Sequence, residues 1–145
     1  VNLYAVNGTS RPYLDRDRHA FKREFQRQLF ELGASLGPRV VMAGDFNVSR
    51  TKLDTHPRLR TEGPHAQARA ELNALIDETG FVDIWRARNP EAKGYTWYNP
   101  RARWLDAARV DYVLVSPALV PEVRDAAILD KQPWSDHRPV SVTLA

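Results

Sequence analysis

The apolar positions along this chain follow two rhythms. Phe21, Phe25, Leu29 and Leu32 recur at spacings of four, four and three, which draws one apolar stripe along a helix over about residues 15–36. Arg16, Arg18, Lys22, Arg23 and Arg27 lie mostly off that stripe, and Gly37-Pro38 stops the helix. A second helix is predicted over about 66–78, with Leu72, Leu75 and Ile76 inward and Gly80 in its left-handed cap. The other rhythm is that of strands. Val40-Val41-Met42-Ala43 is a continuous apolar run, the mark of a strand buried on both faces. Strands are also predicted near Val1–Val6, Gly94–Tyr98, Arg109–Val115, Val123–Leu129 and Pro139–Leu144. Residues 49–64 read as an irregular loop and 101–108 as a hairpin-type connection. The sum is an α/β domain: a mixed sheet of about six strands with two main helices on one face. The opposite face of that sheet is expected to be apolar and to need a cover.

Composition narrows the class. At 145 residues, 43% hydrophobic and 27% charged, the chain is one globular domain rather than a disordered segment. It contains no cysteine, which excludes a disulfide framework, a thiolate metal site and a cysteine nucleophile. No apolar run approaches the roughly 18 residues of a membrane span, and no signal peptide is visible. We therefore expect a cytoplasmic protein with no membrane partner. The chain opens on Val1, directly in a strand-like run, and reads as a fragment or an excised domain. The net charge of +3, from 21 Lys+Arg against 18 Asp+Glu, permits a polyanionic partner without requiring one.

Candidate chemistry lies in four polar clusters at predicted strand ends. Asp45 and Asn47, in Gly44-Asp45-Phe46-Asn47, emerge where a buried strand reaches the sheet rim. Two residues apart in extended chain, they face the same way and could hold a water; a plain turn is the alternative. Ser135-Asp136-His137 offers a metal ligand and a proton-transfer group or phosphate donor, or is simply an exposed loop. Asp111, in Arg109-Val110-Asp111-Tyr112, puts a carboxylate in an otherwise apolar strand, which is costly unless it is paired. Its partner is either His137 or an arginine such as Arg109. Tyr4 and Asn7, at the end of the first strand, could donate to a phosphate oxygen, or Tyr4 is a packed aromatic.

In chain order the motifs are Tyr-Ala-Val-Asn-Gly from Tyr4, Gly-Asp-Phe-Asn from Gly44, Arg-Val-Asp-Tyr from Arg109 and Ser-Asp-His from Ser135. This series resembles the endonuclease/exonuclease/phosphatase superfamily. Within it, Leu53-Asp54-Thr55-His56-Pro57, Gly94-Tyr95-Thr96-Trp97 and Arg109-Val110-Asp111-Tyr112 are most similar to exonuclease III and AP endonucleases. The resemblance implies that residues 1–145 are the C-terminal half of such a domain, half of a four-layer α/β sandwich. It implies that Asp45 orients or deprotonates the attacking water with Asn47 aligning it. His137, with Asp111 as its carboxylate partner, would contact the phosphate. Asp136, together with Asp45, would support the metal, Mg²⁺ or Mn²⁺. Tyr4 and Asn7 would touch the phosphate or leaving group, and Trp97 matches a sugar-pocket aromatic. A second pocket aromatic has Ala107 and Ala108 in its place, with Trp104 nearby. DNA would be the substrate, with Arg11, Arg50, Arg101 and Arg103 as candidate backbone contacts.

The family's first half carries an Asn and a metal-binding Glu with no counterpart here. The chain alone is therefore expected to be weakly active, and the missing N-terminal half or a self-associated copy to cover the sheet. Other readings are a superfamily phosphoesterase acting on a lipid headgroup, inositol phosphate or nucleotide, and a non-catalytic fragment that self-associates.

Overall fold

A computed structural model describes residues 1–7, 16–59, 64–102 and 106–145. The elements run β1 (Asn2–Tyr4), α1 (Arg16–Ser35), β2 (Val41–Asp45), α2 (Pro64–Thr79), β3 (Val82–Asp83), α3 (Ile84–Arg88), β4 (Trp97–Tyr98), β5 (Ala107–Ala108), β6 (Asp111–Val115), β7 (Val123–Ile128) and β8 (Val140–Leu144). The central sheet has the order β1-β2-β6-β3. Its β1–β2 pair is parallel, while β6 is antiparallel to both β2 and β3, so the sheet is mixed as expected. Two antiparallel pairs, β4–β5 and β7–β8, complete the described strands, and β8 lies alongside β6. The six predicted strands thus form three hydrogen-bonded groups rather than one ladder. Trp97–Tyr98 and Ala107–Ala108 pair antiparallel, which agrees with a hairpin-type connection between them. The strand predicted over 94–98 contracts to the two residues Trp97–Tyr98.

Alternation along β2 and β6 explains the layering. Met42, Tyr112 and Leu114 face one cluster with Leu29, Phe30, Leu72 and Ile76 from α1 and α2. The intervening Val41, Val113 and Val115 face a second cluster built on Ile84, Trp85, Leu119 and Val123. Both main helices therefore cover one face. The other face is met by α3 and the β7–β8 hairpin, which leave Val41, Val82, Val113, Ile128 and Val142 only partly buried.

The buried side of α1 differs from the predicted stripe. Phe21 and Leu32 are 59% and 48% exposed, whereas His19, Lys22, Gln26 and Phe30 are buried. The reason is the contact at Gly33, where an added Cβ would lie 3.0 Å from the Met42 sulfur and 3.3 Å from Phe81. That approach fixes the helix's rotation, and the row 33–30–26–22–19 follows it inward at spacings of three and four.

An ionic cluster ties the loop after β2 to the sheet. Arg109, 1% exposed, donates from Nη1 and Nη2 to both oxygens of Asp83 at 2.9 and 2.7 Å, and from Nε to Asp54 at 2.7 Å. Arg86 also donates to Asp54 at 2.6 Å, and Arg50 to Asp83 at 3.1 Å. Arg109 therefore does not serve Asp111, which settles one alternative left open by the motif.

Candidate active site

The site is assembled where β2 and β6 end together. Their register sets Asp45 opposite Asp111, so two carboxylates from distant segments sit side by side at the sheet rim. Gly44 makes this possible: its φ is +141°, and an added Cβ would fall 1.9 Å from the Leu3 carbonyl oxygen. Only glycine lets β1 pass so close to β2. The chain then turns sharply, with Asn47 in the left-handed region at φ +52°. Asn47 N–H donates to Asp45 Oδ1 at 2.7 Å, and Asn47 Nδ2 donates to the Ala5 carbonyl at 2.7 Å. Gly-Asp-Phe-Asn is thus a turn, and that turn sets Asp45 and Asn47 side by side at the sheet rim. Beneath it Phe46 is fully buried against the Tyr112 ring at 5.4 Å.

His137 reaches the same rim from the loop before β8. Its Nδ1 is 2.9 Å from Asp111 Oδ2. Two bridges hold that loop: Arg138 N–H donates to the Thr96 carbonyl at 2.6 Å, and Tyr98 N–H donates to the Asp136 carbonyl at 3.0 Å. Thr96, fully buried, accepts from the backbone N–H groups of both Val110 and Asp111 at 3.0 and 3.1 Å through one hydroxyl. Thr96→Val keeps the shape and orphans both donors. We expect it to cost about 2 to 3 kcal/mol, read as a lower urea midpoint at unchanged slope. A midpoint equal to wild type would remove Thr96 from this role.

Electrostatics follow from the geometry. Burial pushes the Asp45 carboxyl up to about 6. The Asn47 N–H pulls it back, the Asp111 charge adds to the rise, and His137 and Lys22 oppose it. For His137 the hydrogen bond it donates to Asp111 raises the imidazole above its ordinary value, against burial, with the charges of Asp111, Asp45 and Asp136 helping. When protonated, His137 offers the free edge of its ring to an anionic ligand's oxygen. Asp45, Asp111 and His137 each offer a ligand atom, all within 4.8 Å of one another. This group could hold a metal ion.

Asp45 and His137 face a cleft of about 730 Å³, whose lining also includes Tyr4, Asn7, Asn47, Trp97, Arg101 and Asp136. Asp111 stands behind His137. Asp136 is outside the close group of three, and its Oδ2 accepts from Trp97 Nε1 at 3.0 Å. Tyr4 is 76% exposed, so it is not a core aromatic. Arg50 is absent from the cleft wall, a correction to its expected role in phosphate contact. Its guanidinium is committed to Asn73 and Asp83. Arg11, Arg103 and Trp104 lie outside the described residues. Ala108 and Val110 do line the cleft beside Trp97.

Sequence reasoning missed several cleft residues: Arg58, His65 and Asn99. It also missed Lys22, which is 1% exposed and donates from Nζ to the Asn47 carbonyl at 2.6 Å. Arg58 lies in the stretch read as irregular loop, where no spacing marks one arginine over another.

Known proteins share the sequence pattern and the fold of this chain. The sequence profile of the Endonuclease/Exonuclease/phosphatase family matches residues 1–137. Recombination repair protein 1 of Drosophila melanogaster is 34% identical over 98% of this chain and 22% of its own length. The exodeoxyribonuclease of Bacillus subtilis is 32% identical over 72% of this chain and 44% of its own length. Among solved structures, the 3′ phosphatase NExo from Neisseria, bound to a product DNA hairpin, superposes with a TM-score of 0.85 at 25% identity. That superposition covers 99% of this chain and 60% of the Neisseria chain. An AP endonuclease from Archaeoglobus fulgidus, at 24% identity, gives a TM-score of 0.83 and shares the fold. The chain therefore spans less than half the length of these curated relatives. With its profile match over 137 of 145 residues and its motifs gathered at one sheet rim, this chain belongs to the Endonuclease/Exonuclease/phosphatase family.

Proposed function

We propose that this chain forms the C-terminal half of a divalent-metal-dependent phosphodiesterase acting on DNA, of the AP endonuclease / 3′-exonuclease type. One observation carries the reading: Asp45 and Asp111 share a register position, His137 lies within hydrogen-bonding distance of Asp111, and Asp45 and His137 line one cleft. The DNA-processing relatives support the choice of substrate.

Phosphodiester hydrolysis needs an activated water, neutralised phosphoryl oxygens and a stabilised leaving oxygen. Asp45 suits the first task. A carboxyl raised to about 6 is ionised at pH 7.5 yet more basic than an exposed one. Asn47, locked by Ala5, presents an oriented side chain beside it. His137, whose proton affinity is raised by its hydrogen bond to Asp111, is the group to meet a phosphoryl oxygen. Tyr4 and Asn7 are placed on the wall to bind the leaving group or phosphate, with Arg101 as a neighbouring backbone contact. The donor set fits a hard cation: carboxylate oxygens, one imidazole, and no thiolate anywhere in the chain. Asp45 and Asp111, supported by Asp136, would hold Mg²⁺ or Mn²⁺, which when bound supplies further neutralisation of phosphoryl charge.

The test is a substrate panel of abasic duplex, intact duplex, 3′-phosphorylated duplex and bis-p-nitrophenyl phosphate, with Mg²⁺ and with EDTA. Metal-dependent cleavage of DNA above the small diester is expected from the protein at its full natural length. The chain alone should be far less active. Preference for the small diester over every DNA substrate would overturn the DNA assignment. Among the described residues no helix is long and apolar enough to cross a membrane.

A further inference from the structure

We infer that Lys22 is a positioning residue for the hydrolytic centre: its buried ammonium reaches from α1 beneath the sheet rim, clamps the Asn47 carbonyl, and thereby fixes the turn that aims Asp45 and Asn47 into the cleft. The inference rests on the hydrolase reading above and names one more part of its machinery.

The lysine's location is the first argument. At 1% exposure Lys22 is among the most buried side chains in the protein, and lysine is almost never fully buried without a partner. Its neighbours in the inward row of α1 include Gln26, Phe30 and Gly33. Leucine or methionine there would pack the helix without any desolvation cost. A charge at such a position is poorly explained by stability alone.

What the ammonium touches is the second argument. Nζ donates to the Asn47 carbonyl at 2.6 Å, a short charge-assisted bond. Asn47 is the described non-glycine residue with positive φ, at +52°. A left-handed residue of this kind persists where its surroundings over-determine it. Three bonds do so here: Lys22 holds the carbonyl, Asp45 Oδ1 holds the N–H, and the Ala5 carbonyl holds the side-chain amide. Ala5 directly follows Tyr4, so the same turn also locates that phenol. Burial lowers Lys22 to about 8, and the charge of Asp45 opposes the fall. The cation and the proposed base therefore feel one another across the turn.

The experiment compares wild type, Lys22→Met, Lys22→Gln and Asp45→Asn in the protein at its full natural length, with Mg²⁺ and an abasic duplex. Lys22→Met should lower kcat roughly 10- to 100-fold, as small misplacement of a reacting group does, with KM within about twofold. Its Tm should stay within about 4 °C of wild type, because relief of a buried charge offsets the lost bond. Lys22→Gln, which keeps an N–H donor, should recover part of kcat. A merely structural lysine would lose Tm and kcat together, and that result overturns the inference. So does wild-type kcat in Lys22→Met while Asp45→Asn is inactive, an outcome that leaves the hydrolase reading standing. Full activity of Asp45→Asn sinks the hydrolase reading itself. If neither Lys22 variant folds, the lysine is structural and the inference falls.

Discussion

Asp45→Asn should lower the rate of DNA cleavage by roughly 10² to 10⁴-fold, the range associated with loss of a positioned general base, while duplex affinity changes little. The substitution is nearly isosteric, and the amide oxygen can still accept from the Asn47 N–H, now 2.7 Å from Asp45 Oδ1. The turn therefore survives and only the basicity is lost. The same variant makes an independent stability prediction. Asp45 has its folded pKa raised from 3.8 to about 6. The folded state thus binds a proton more tightly than the unfolded one. Its contribution is fully present below about pH 4 and is lost as pH rises through about 6. At pH 7.5 the ionised, desolvated carboxylate weighs against folding by on the order of 2 to 3 kcal/mol. Asn carries no such penalty, so the variant in EDTA should melt higher than wild type at pH 7.5, and the gap should close toward pH 4. Loss of activity with a gain in stability is the signature of a residue retained for chemistry. Equal cleavage rates, or a variant that melts lower at neutral pH, would contradict the role given to Asp45.

The parts of this site that could be read from the sequence are those that sit at strand ends. An apolar run such as Val40–Ala43 announces a buried strand, and a polar tetrad directly after it must lie at the rim. Asp111 announced itself as a carboxylate in an apolar strand, a position that demands a partner. Which partner was undecidable, because His137 and Arg109 are equally compatible with the pattern; the fold gives Asp111 the histidine and gives Arg109 to Asp83 and Asp54. Lys22 was misread for a physical reason. Periodicity assigns charged residues to the solvated side, and only the long-range contact of Gly33 with Met42 and Phe81 rotates α1 so that the lysine points inward. Arg50 was misread in the opposite direction. An arginine three residues past the proposed catalytic asparagine looks like a phosphate contact until Asp83, 33 residues later, is folded against it. Short elements such as β3 and β5, of two residues each, carry too few positions for any rhythm to appear.

Arg109→Met should be the most destabilising single change outside the apolar core, costing about 3 to 5 kcal/mol. The guanidinium makes three bonds to two carboxylates that are themselves almost wholly buried, Asp54 at 0% and Asp83 at 4% exposure. It also lies over the Trp85 and Tyr112 rings at 5.0 and 4.6 Å. Methionine fills much of the space and removes every donor. Arg86 and Arg50 each retain one bond to the cluster, at 2.6 and 3.1 Å, which keeps the loss from being larger. Arg109→Lys should recover little, since a single ammonium cannot span both oxygens of Asp83 and also reach Asp54. The pH dependence identifies the mechanism. For Asp54, burial pushes the carboxyl up, but the bonds and charge of Arg109, with help from Arg86 and Thr51, outweigh it and hold the group below its ordinary 3.8. Its stabilisation is therefore present above the unfolded pKa and disappears as pH falls through the lower folded value. Without Arg109 the burial effect takes over, Asp54 titrates higher, and protonation relieves the variant sooner. The gap in unfolding free energy should be widest near pH 7.5 and narrow toward pH 4. Activity should fall too, because Arg109 leads directly into Val110 and Asp111 at the site. A gap independent of pH would mean that lost packing against Trp85 and Tyr112, rather than two stranded carboxylates, sets the cost.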